Sequence, residues 1–524
     1  MERSSLNTPA SLDAPASVYG DDDPIAAFAT TPGTSALTLL RCSGKNTIDL
    51  IAKVFSPGKV KNAAGNTVIH GWIIDREQST ENKKIDEVVL TVFRAPKSYT
   101  GEDSVDICCH GGSVTGKAVM DVLKKTGFRD ALPGEFTFRA FVNGKIDLTR
   151  CESVMELVNA KTEKGRSHAV SRLSGSLQNE INELKQLLVQ VLAGAEIYLD
   201  YSEDEISAEY DADAKDEIAG KLPNKDIAQN VLTRLKKLSD SWNIERIYQD
   251  GVTVVIAGKP NTGKSSLFNL LLKEDRSIVT ETPGTTRDWI EAWVSIGGIP
   301  VRLVDTAGLR DTDDSVEKIG VERSRKLLDE ADIVLYLIDG SHGNQESGFG
   351  SMEAENKNIS DNEKINFRKS VIYLWNKCDI FRMPNPFPLV NISPISVSAK
   401  TGEGYNNLYD AIAQAINSQG ATASQSATAS RSAMASRSAM ASLSGDFQSQ
   451  NTSAAALGTV RQKNLVDTAC AVLEEALELV ESGEPLDLIA PLVREAVNAL
   501  GEITGEVLSA DIFEEMFSRF CVGK

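Results

Sequence analysis

Apolar residues between 251 and 418 fall into short runs that are separated by polar and helix-like segments. These runs are strand candidates at Val252–Ala257, Val301–Asp305, Ile333–Asp339, Val371–Asn376 and Ile395–Ser398. Strands that alternate with helices predict a parallel sheet of the α/β class. All but the first run end at polar or charged residues, and such sheets bind ligands beyond the carboxyl ends of their strands. The pattern therefore predicts an α/β domain with a ligand site at one edge of its sheet.

Residues 24–140 combine strand and helix patterns without this regular alternation. Ala36–Arg41, Glu87–Phe93 and Ser104–Cys109 have the composition of strands, and Val114–Lys125 has helical spacing. We therefore expect an α+β domain at residues 24–140.

Residues 141–248 and 458–524 are helical in pattern. One apolar stripe consists of Ile181, Leu184, Leu187, Leu188, Val191 and Leu192, and a later one of Leu488, Leu492, Val493, Ala496, Val497 and Leu500. Such spacing is typical of helices that pack on a core. The short helices after 458 lack partners of their own, so we expect them to pack on the helices before 248. The α/β domain at 251–418 would then be inserted into a helical domain built from two segments, which is easy because domain termini are usually close together.

Residues 1–23 and 419–457 show neither pattern. The first segment lacks the apolar core of a signal peptide, and it contains acidic residues, which are rare in transit peptides. The second is rich in Ser and Ala, with a six-residue period at Gln425–Ser430, Arg431–Ser436 and Arg437–Ser442. Neither composition can bury enough apolar surface to fold alone. We predict a disordered tail at 1–23 and a flexible linker at 419–457.

Composition and charge narrow the class of protein. The chain has 524 residues, which suffices for several domains, and a formal net charge of −19. This charge argues against a generic nucleic-acid coat protein, so any RNA contact needs local basic patches or a partner. The seven cysteines include no C-x-x-C pair, which indicates reduced thiols and a cytoplasmic location. No 18 consecutive residues are apolar, so we expect no membrane span.

Gly258–Ser265, here called the P-loop, follows the first predicted strand with the pattern G-x-x-x-x-G-K-S. Its glycines let backbone N–H groups turn inward around a chain of phosphates. Lys264 can reach the β- and γ-phosphates, and the Ser265 hydroxyl can ligate Mg²⁺. The N-terminus of the helix that follows adds a partial positive charge, which favours phosphate binding. The segment predicts a nucleoside triphosphate site.

Two motifs for sensing the γ-phosphate follow the P-loop. Thr286 lies in the polar segment Gly284–Asp288 and is a candidate Mg²⁺ ligand. Asp305 begins the D-T-A-G motif and would hold Mg²⁺ through water, while the Gly308 N–H would contact the γ-phosphate.

Two further motifs predict the base. The Asp379 carboxylate of Asn376–Asp379 can accept hydrogen bonds from guanine N1–H and N2–H₂ together, and adenine offers no such donor pair. Ser398–Lys400 supplies a backbone N–H towards guanine O6 in proteins of this class. All these motifs occur in the order that a GTPase requires, which predicts guanine specificity.

The hydrolytic step departs from the Ras pattern. Ras-type switches place a water-orienting Gln directly after the D-x-x-G motif, and here that position is Leu309. One of the nearby carboxylates Asp311, Asp313, Asp314 and Glu317 could act through a second water, or all of them are solvated surface charges. A monovalent cation could take the place of an arginine finger.

Motifs along the whole chain resemble the tRNA-modification GTPases, the MnmE or TrmE family. The resemblance covers about residues 24–418 and 458–524. It rests on Leu40–Gly44, Ser98–Asp103, His110–Gly112, Pro133–Phe136, Asn143–Lys145, Gly284–Asp288 and Phe520–Lys524.

This resemblance implies an α+β folate-binding N-terminal domain, a helical domain of two segments and an inserted Ras-like G domain. It also implies a homodimer that works with an FAD-dependent partner of the MnmG (GidA) type. Such a complex adds an aminomethyl or carboxymethylaminomethyl group to C5 of the wobble uridine, position 34, in certain tRNAs. The one-carbon unit comes from 5-formyl- or methylene-tetrahydrofolate. GTP hydrolysis is required and is stimulated when G domains dimerise around K⁺.

The resemblance also assigns roles position by position. Asn261, Thr280, Thr282 and Thr285 match the K⁺ site, Ser265 and Thr286 match the Mg²⁺ ligands, and Glu317 matches a carboxylate proposed as a distal general base. Folate contacts would fall on Arg41, Asp106, Lys145 and Lys524, although the family usually has Glu at the position of Asp106. Cys521 matches a cysteine suggested to take part in the modification. The catalytic candidates are therefore Glu317, Cys521 and Asp305.

The predicted nucleotide contacts combine these motifs. They are Asn261, Thr262, Gly263, Lys264, Ser265, Ser266, Thr280, Thr285, Thr286, Asp305, Thr306, Ala307, Gly308, Asn376, Lys377, Asp379, Ser398, Ala399 and Lys400.

Two other functional classes stay open at this point. The first is a regulatory or ribosome-assembly GTPase that acts only as a switch, in which residues 24–140 would bind no tetrahydrofolate. The second is a dynamin-like structural GTPase, but the chain shows no basic amphipathic stretch for a membrane.

Overall fold

The computed structural model describes residues 23–31, 33–76, 83–200, 222, 224–274, 290–305, 327–342, 370–383, 393–425, 455–506, 516–518, 520 and 522–523. The chain forms two compact units, one of residues 1–155, 172–235 and 464–524, and one of residues 156–171 and 236–463. The predicted tail up to residue 22 and most of the predicted linker lie outside the described residues. Among the described helices, none combines the length and the apolar character that a membrane span needs.

A seven-stranded sheet in the order β3-β4-β5-β6-β2-β1-β7 forms the N-terminal part of the first unit. Its elements are β1 (Ile25–Phe28), β2 (Leu37–Ser43), α1 (Thr47–Val54), β3 (Phe55–Ser56), β4 (Thr67–Asp75), β5 (Lys83–Phe93), β6 (Ser104–His110), α2 (Ser113–Thr126), β7 (Arg129–Asp130) and α3 (Glu135–Val142). Only β1 and β7 pair in parallel. Buried Val88, Leu90 and Val92 alternate with more exposed residues along β5, because one face of the sheet meets α1 and α2.

The predicted strands of this sheet are confirmed, with somewhat longer bounds. The strands β1, β3, β4 and β7 were not predicted. β1 is only Ile25–Phe28, and β4 contains Gly71 and His70, which weaken its strand signal. At Gly71 an added Cβ would lie 2.3 Å from the Ser56 carbonyl oxygen, so the close approach of β3 requires glycine.

The remaining helices are α4 (Leu148–Asn159), α5 (Glu163–Leu173), α6 (Ser176–Asp200), α7 (Lys225–Gln249), α8 (Lys264–Glu274), α9 (Tyr405–Gln425), α10 (Val460–Ser482) and α11 (Leu486–Thr504). In the first unit, one apolar cluster combines Val191 of α6 and Ala228 of α7 with Val480 of α10 and Val493 of α11. Segments before and after the second sheet therefore share one helical core. Helix α9 continues to Gln425, past the predicted boundary at 418.

The second unit is built on a six-stranded sheet in the order β13-β12-β11-β8-β10-β9. Its strands are β8 (Val252–Gly258), β9 (Ile290–Ile296), β10 (Ile299–Asp305), β11 (Ile333–Asp339), β12 (Ser370–Asn376) and β13 (Ile395–Ser396). All neighbours pair in parallel except β9 and β10. The five predicted parallel strands are confirmed, and the antiparallel edge strand β9 was not predicted. Because the parallel strands end at the same edge, Asp305, Asp339 and Asn376 lie beside the P-loop edge of the sheet.

Residues 156–171, 236–248 and 458–463 were predicted with the helical domain, yet they belong to the second compact unit. The reason is a set of contacts with this sheet and with α7. The Lys161 ammonium lies 3.1 Å from the centre of the Trp293 ring of β9. His168 of α5 pairs with buried Glu245 at 2.6 Å and contacts the Tyr248 ring.

Candidate functional site

The P-loop has a backbone conformation that depends on glycine. Gly258 has φ 142° and Gly263 has φ 97°, and Asn261 also adopts a left-handed φ of 63°. An added Cβ at Gly263 would lie 2.3 Å from Nδ2 of Asn376. The loop between β8 and α8 is therefore an open backbone cradle, which fits a chain of phosphates at the start of a helix.

Lys264 lies across this cradle. Its Nζ donates to the carbonyl oxygens of Gly258 at 3.0 Å and Lys259 at 2.9 Å, and the side chain is almost fully buried. Thr262 Oγ1 donates to the Lys259 carbonyl at 2.9 Å and stabilises the same turn. The ammonium is thus held at the inner edge of the loop, where it can meet phosphate oxygens.

Ser265 and Asp305 place a hydroxyl and a carboxylate side by side next to the P-loop. The Ser265 hydroxyl donates to Oδ2 of Asp305 at 2.7 Å. Asp305 is 1% exposed and ends β10, the strand next to β8. Mg²⁺ prefers hydroxyl, carboxylate and water oxygens, so this pair fits an Mg²⁺ ion bound together with phosphates.

Asn376 ties the P-loop to the loop that follows β13. Its Nδ2 donates to the Thr262 carbonyl at 2.7 Å, and its Oδ1 accepts from the Ala399 N–H at 3.0 Å. The side chain is 1% exposed. One buried amide therefore connects the phosphate end of the site with the predicted base end.

The Asp379 carboxylate is oriented by Ser398. The Ser398 hydroxyl is fully buried and donates to Oδ1 of Asp379 at 2.6 Å, while its oxygen accepts from the Thr401 N–H. Asp379 itself is exposed in the turn that follows β12. An oriented carboxylate next to the Ala399 and Lys400 backbone can read the edge of a purine that carries adjacent donors.

A second charged cluster lies in the N-terminal sheet. Arg41 and Asp106 are directly opposite on β2 and β6 and form a bidentate pair at 3.0 and 3.2 Å. The Arg41 guanidinium lies 5.7 Å from the centre of the Tyr99 ring. Lys145 Nζ donates to the Pro96 carbonyl at 2.8 Å, at the start of the segment that contains Tyr99. The structure thus brings the Arg41–Asp106 pair next to Tyr99 and ties Lys145 to the start of the same segment. Burial raises the pKa of Tyr99.

A buried hydroxyl network supports this cluster. Ser43 contacts the Thr100 hydroxyl at 2.7 Å and donates to Glu102 at 2.8 Å. Glu102 also accepts from Arg139, which pairs with the fully buried Glu135. These bonds fix the segment that carries Tyr99.

Known proteins match nearly the whole chain in sequence. The family model "GTP-binding protein TrmE N-terminus" matches residues 24–145, and "MnmE helical domain" matches residues 148–521. A tRNA modification GTPase MnmE of Treponema denticola is 41% identical over 97% of this chain and 99% of that protein. Those of Carboxydothermus hydrogenoformans and Borrelia recurrentis are each 37% identical, over 96% and 97% of this chain and 100% and 99% of their own lengths.

The chain belongs to the MnmE family. The family resemblance predicted from the motifs is thereby confirmed.

Several residues predicted for the MnmE site lie outside the described residues. They are Thr280, Thr282, Thr285, Thr286, Thr306, Ala307, Gly308, Glu317, Cys521 and Lys524, together with Leu309. Asn261 and Ser266 are described and are exposed on the P-loop and on α8. The roles of all these residues stay predictions.

Asp339 was not among the site residues predicted from the sequence, yet it lies in the base site. Its Oδ2 accepts from Lys377 Nζ at 2.7 Å, directly beside the guanine motif. The signal was present, since the predicted strand Ile333–Asp339 ends at a carboxylate on the site edge. A single Asp without a surrounding motif does not reveal which side chain it holds.

Proposed function

We propose that this chain binds and hydrolyses GTP as part of a tRNA modification reaction. The observation that carries the proposal is the pair of hydrogen bonds made by the Asn376 side chain. They join the phosphate cradle at Thr262 to the base loop at Ala399. The relatives that match the chain over nearly its full length are named tRNA modification GTPases.

The described residues would divide the work on the nucleotide. Ser265 and Asp305 would hold Mg²⁺, which neutralises charge on the β- and γ-phosphate oxygens when it is bound. Lys264 would bind those phosphates, and Asp379 would accept from the guanine N1–H and N2–H₂. Thr286 and Gly308 complete the proposed set at the γ-phosphate.

The proposed hydrolytic step uses a monovalent cation. Asn261 would bind K⁺ with Thr280, Thr282 and Thr285, and a second copy of the G domain would close the site in a homodimer. Glu317 would orient water through a second water molecule, because Leu309 can neither donate nor accept. Replacing K⁺ by Na⁺ should then slow hydrolysis sharply, and equal rates in the two salts would refute the role of Asn261.

The proposed modification chemistry belongs to the N-terminal cluster. Arg41, Asp106, Lys145 and Lys524 would bind 5-formyl- or methylene-tetrahydrofolate, and Cys521 would take part in the transfer. With an FAD-dependent partner of the MnmG type, the complex would add an aminomethyl or carboxymethylaminomethyl group to C5 of uridine 34 in cytoplasmic tRNA. The charged pair of Arg41 and Asp106, whose guanidinium lies over the Tyr99 ring, supports a polar ligand there.

Base specificity gives a direct test of the nucleotide part. Asp379→Asn replaces an acceptor by an amide donor, so preference should move from guanine to xanthine nucleotides, whose C2 carries oxygen. Asp410→Asn, the same change at an exposed position of α9, is the matched control. Unchanged preference in Asp379→Asn would refute the assignment of the base site.

Nucleoside analysis tests the modification part. Cells that lack this protein should lose the C5 group of the wobble uridine in some tRNAs. If GTP hydrolysis is present and the nucleosides are unchanged, the chain is a regulatory GTPase instead.

A further inference from the structure

We propose that Asp339 is a positioning residue of the guanine site, which acts by fixing the side chain of Lys377. The inference rests on the proposed function, because it requires that a guanine nucleotide binds at this edge. It adds a residue from β11 to a base site that the motifs build from the end of β12 and the loops after β12 and β13.

The two strands place these residues side by side. Asp339 ends β11 and is paired in register with Asn376, the last residue of β12, so Lys377 follows directly. Both oxygens of the Asp339 carboxylate are engaged. Oδ2 accepts from Lys377 Nζ at 2.7 Å, and Oδ1 accepts from the Ser341 N–H at 2.9 Å and its hydroxyl at 2.6 Å. The carboxylate therefore cannot rotate without breaking several bonds.

The turn after Asp339 is itself held against β12. At Gly340 an added Cβ would lie 2.5 Å from the Asn376 carbonyl oxygen and 2.5 Å from Trp375 Nε1. Only glycine allows this close approach. The approach in turn fixes the distance between the ends of β11 and β12. Asp339 is thus a rigid anchor for a group on the neighbouring strand.

The charge on Asp339 is stable at neutral pH. Burial alone would raise its pKa, but hydrogen bonds from Lys377 and Ser341 outweigh burial and hold the pKa below its usual value. The Lys377 and Asp339 side chains are 28% and 21% exposed, so water screens the pair only in part.

Lys377 needs such an anchor because a long lysine side chain is flexible unless its ammonium is held. Its φ is 64°, in the left-handed region that L-residues seldom adopt. A free lysine side chain samples many rotamers. With Nζ fixed at the end of β11, its alkyl stem bridges the ends of the two strands beside Asn376. Such a stem offers an apolar surface to the face of a planar base, while Asp379 reads the edge of that base.

The test compares nucleotide affinities of the full-length protein. Asp339→Asn keeps the shape and the acceptor towards Ser341 but removes the charge that holds Lys377. We expect the Kd for GDP, measured with a fluorescent analogue, to rise about fivefold, and the KM for GTP to rise with kcat unchanged. The ratio of GTP to ITP affinity should stay constant, because the 2-amino group is read by Asp379.

Two further variants separate positioning from a merely structural role. Ser341→Ala removes a hydrogen bond to the same carboxylate without touching the ion pair, and its Kd for GDP should change less than about twofold. In a Lys377→Met background, Asp339→Asn should cause no additional loss of affinity. An unchanged Kd in Asp339→Asn, or an equal loss with and without Lys377, would overturn the inference.

Failure of the proposed function would look different. In that case the wild-type protein itself would show no preference for GDP over ADP. If the wild-type preference is present and the Asp339→Asn affinity is normal, only the inference about Asp339 is wrong.

Discussion

Replacing Asn376 by Ala should uncouple the two ends of the nucleotide site. The side chain is 1% exposed and bonds both to the Thr262 carbonyl and to the Ala399 N–H. Truncation removes both partners at once. The P-loop and the base loop then have to be ordered separately when a nucleotide binds, and that ordering opposes binding.

The magnitude follows from the burial of the groups left behind. Thr262 is 3% exposed, so leaving its carbonyl oxygen without a donor costs about 1–3 kcal/mol of binding free energy in the nucleotide-bound state. The Ala399 N–H is only partly buried, so water can replace its partner and we assign about 1 kcal/mol to it. The sum of about 2–4 kcal/mol corresponds to a Kd for GDP that is at least about 30-fold higher than in the wild type.

Titration with a fluorescent GDP analogue measures this change directly. Asn498→Ala removes an exposed amide from α11 and should leave the Kd unchanged. Asn376→Asp is a second variant that guards against a general folding defect, because it keeps the side-chain volume and the acceptor for the Ala399 N–H. It places an oxygen against the Thr262 carbonyl oxygen in place of the amide donor, so it should also bind GDP weakly. Affinities within about threefold of the wild type for both Asn376 variants would refute the coupling.

Three other predictions concern metal, turnover and acid stability. Ser265→Ala should raise the Mg²⁺ concentration for half-maximal GTP hydrolysis about tenfold, and an unchanged Mg²⁺ titration would remove Ser265 from the ligand set. Glu317→Ala should leave GTP binding intact and slow turnover, while unchanged turnover would make this residue a surface charge. Burial pushes the pKa of Glu135 up, but hydrogen bonds from Arg129, the Leu132 N–H and Arg139 outweigh it and hold the pKa below its usual value. This stabilisation is present above the unfolded-state pKa and is lost as pH falls through the folded-state pKa. Glu135→Gln should therefore lower the free energy of unfolding by about 3 kcal/mol at pH 7 and weaken its dependence on acid pH. Thermal unfolding across pH measures both effects, and Glu495→Gln, the same change at an exposed position of α11, should behave as wild type.

The parallel strands of the second sheet could be predicted because burial on both faces makes them continuous apolar runs. Strand β11 has the predicted bounds Ile333–Asp339. The edge strand β9 could not be recognised in the same way, since it is antiparallel and mixes Glu291, Trp293 and Ser295 with apolar residues. Its place is set by the register with β10, which the local sequence does not encode.

The motifs predicted which side chains reach the nucleotide site but not how they hold one another. The bond from Asn376 to Thr262 joins residues that are 114 positions apart. The pair of Arg41 and Asp106 likewise depends on the register of β2 and β6. Such contacts follow from strand order, and strand order is decided by packing rather than by any short segment.

The contacts of residues 156–171 limit how the G domain can be isolated. Cutting at 251 and 418 would remove Lys161 from the Trp293 ring and would leave out Tyr248, which contacts His168. The excised fragment would then carry an uncovered aromatic side chain on β9, the edge strand of the sheet as far as the structure describes it, and edge strands are prone to self-association. Light scattering and hydrolysis rates obtained with such a fragment would report on that new surface as well as on GTP.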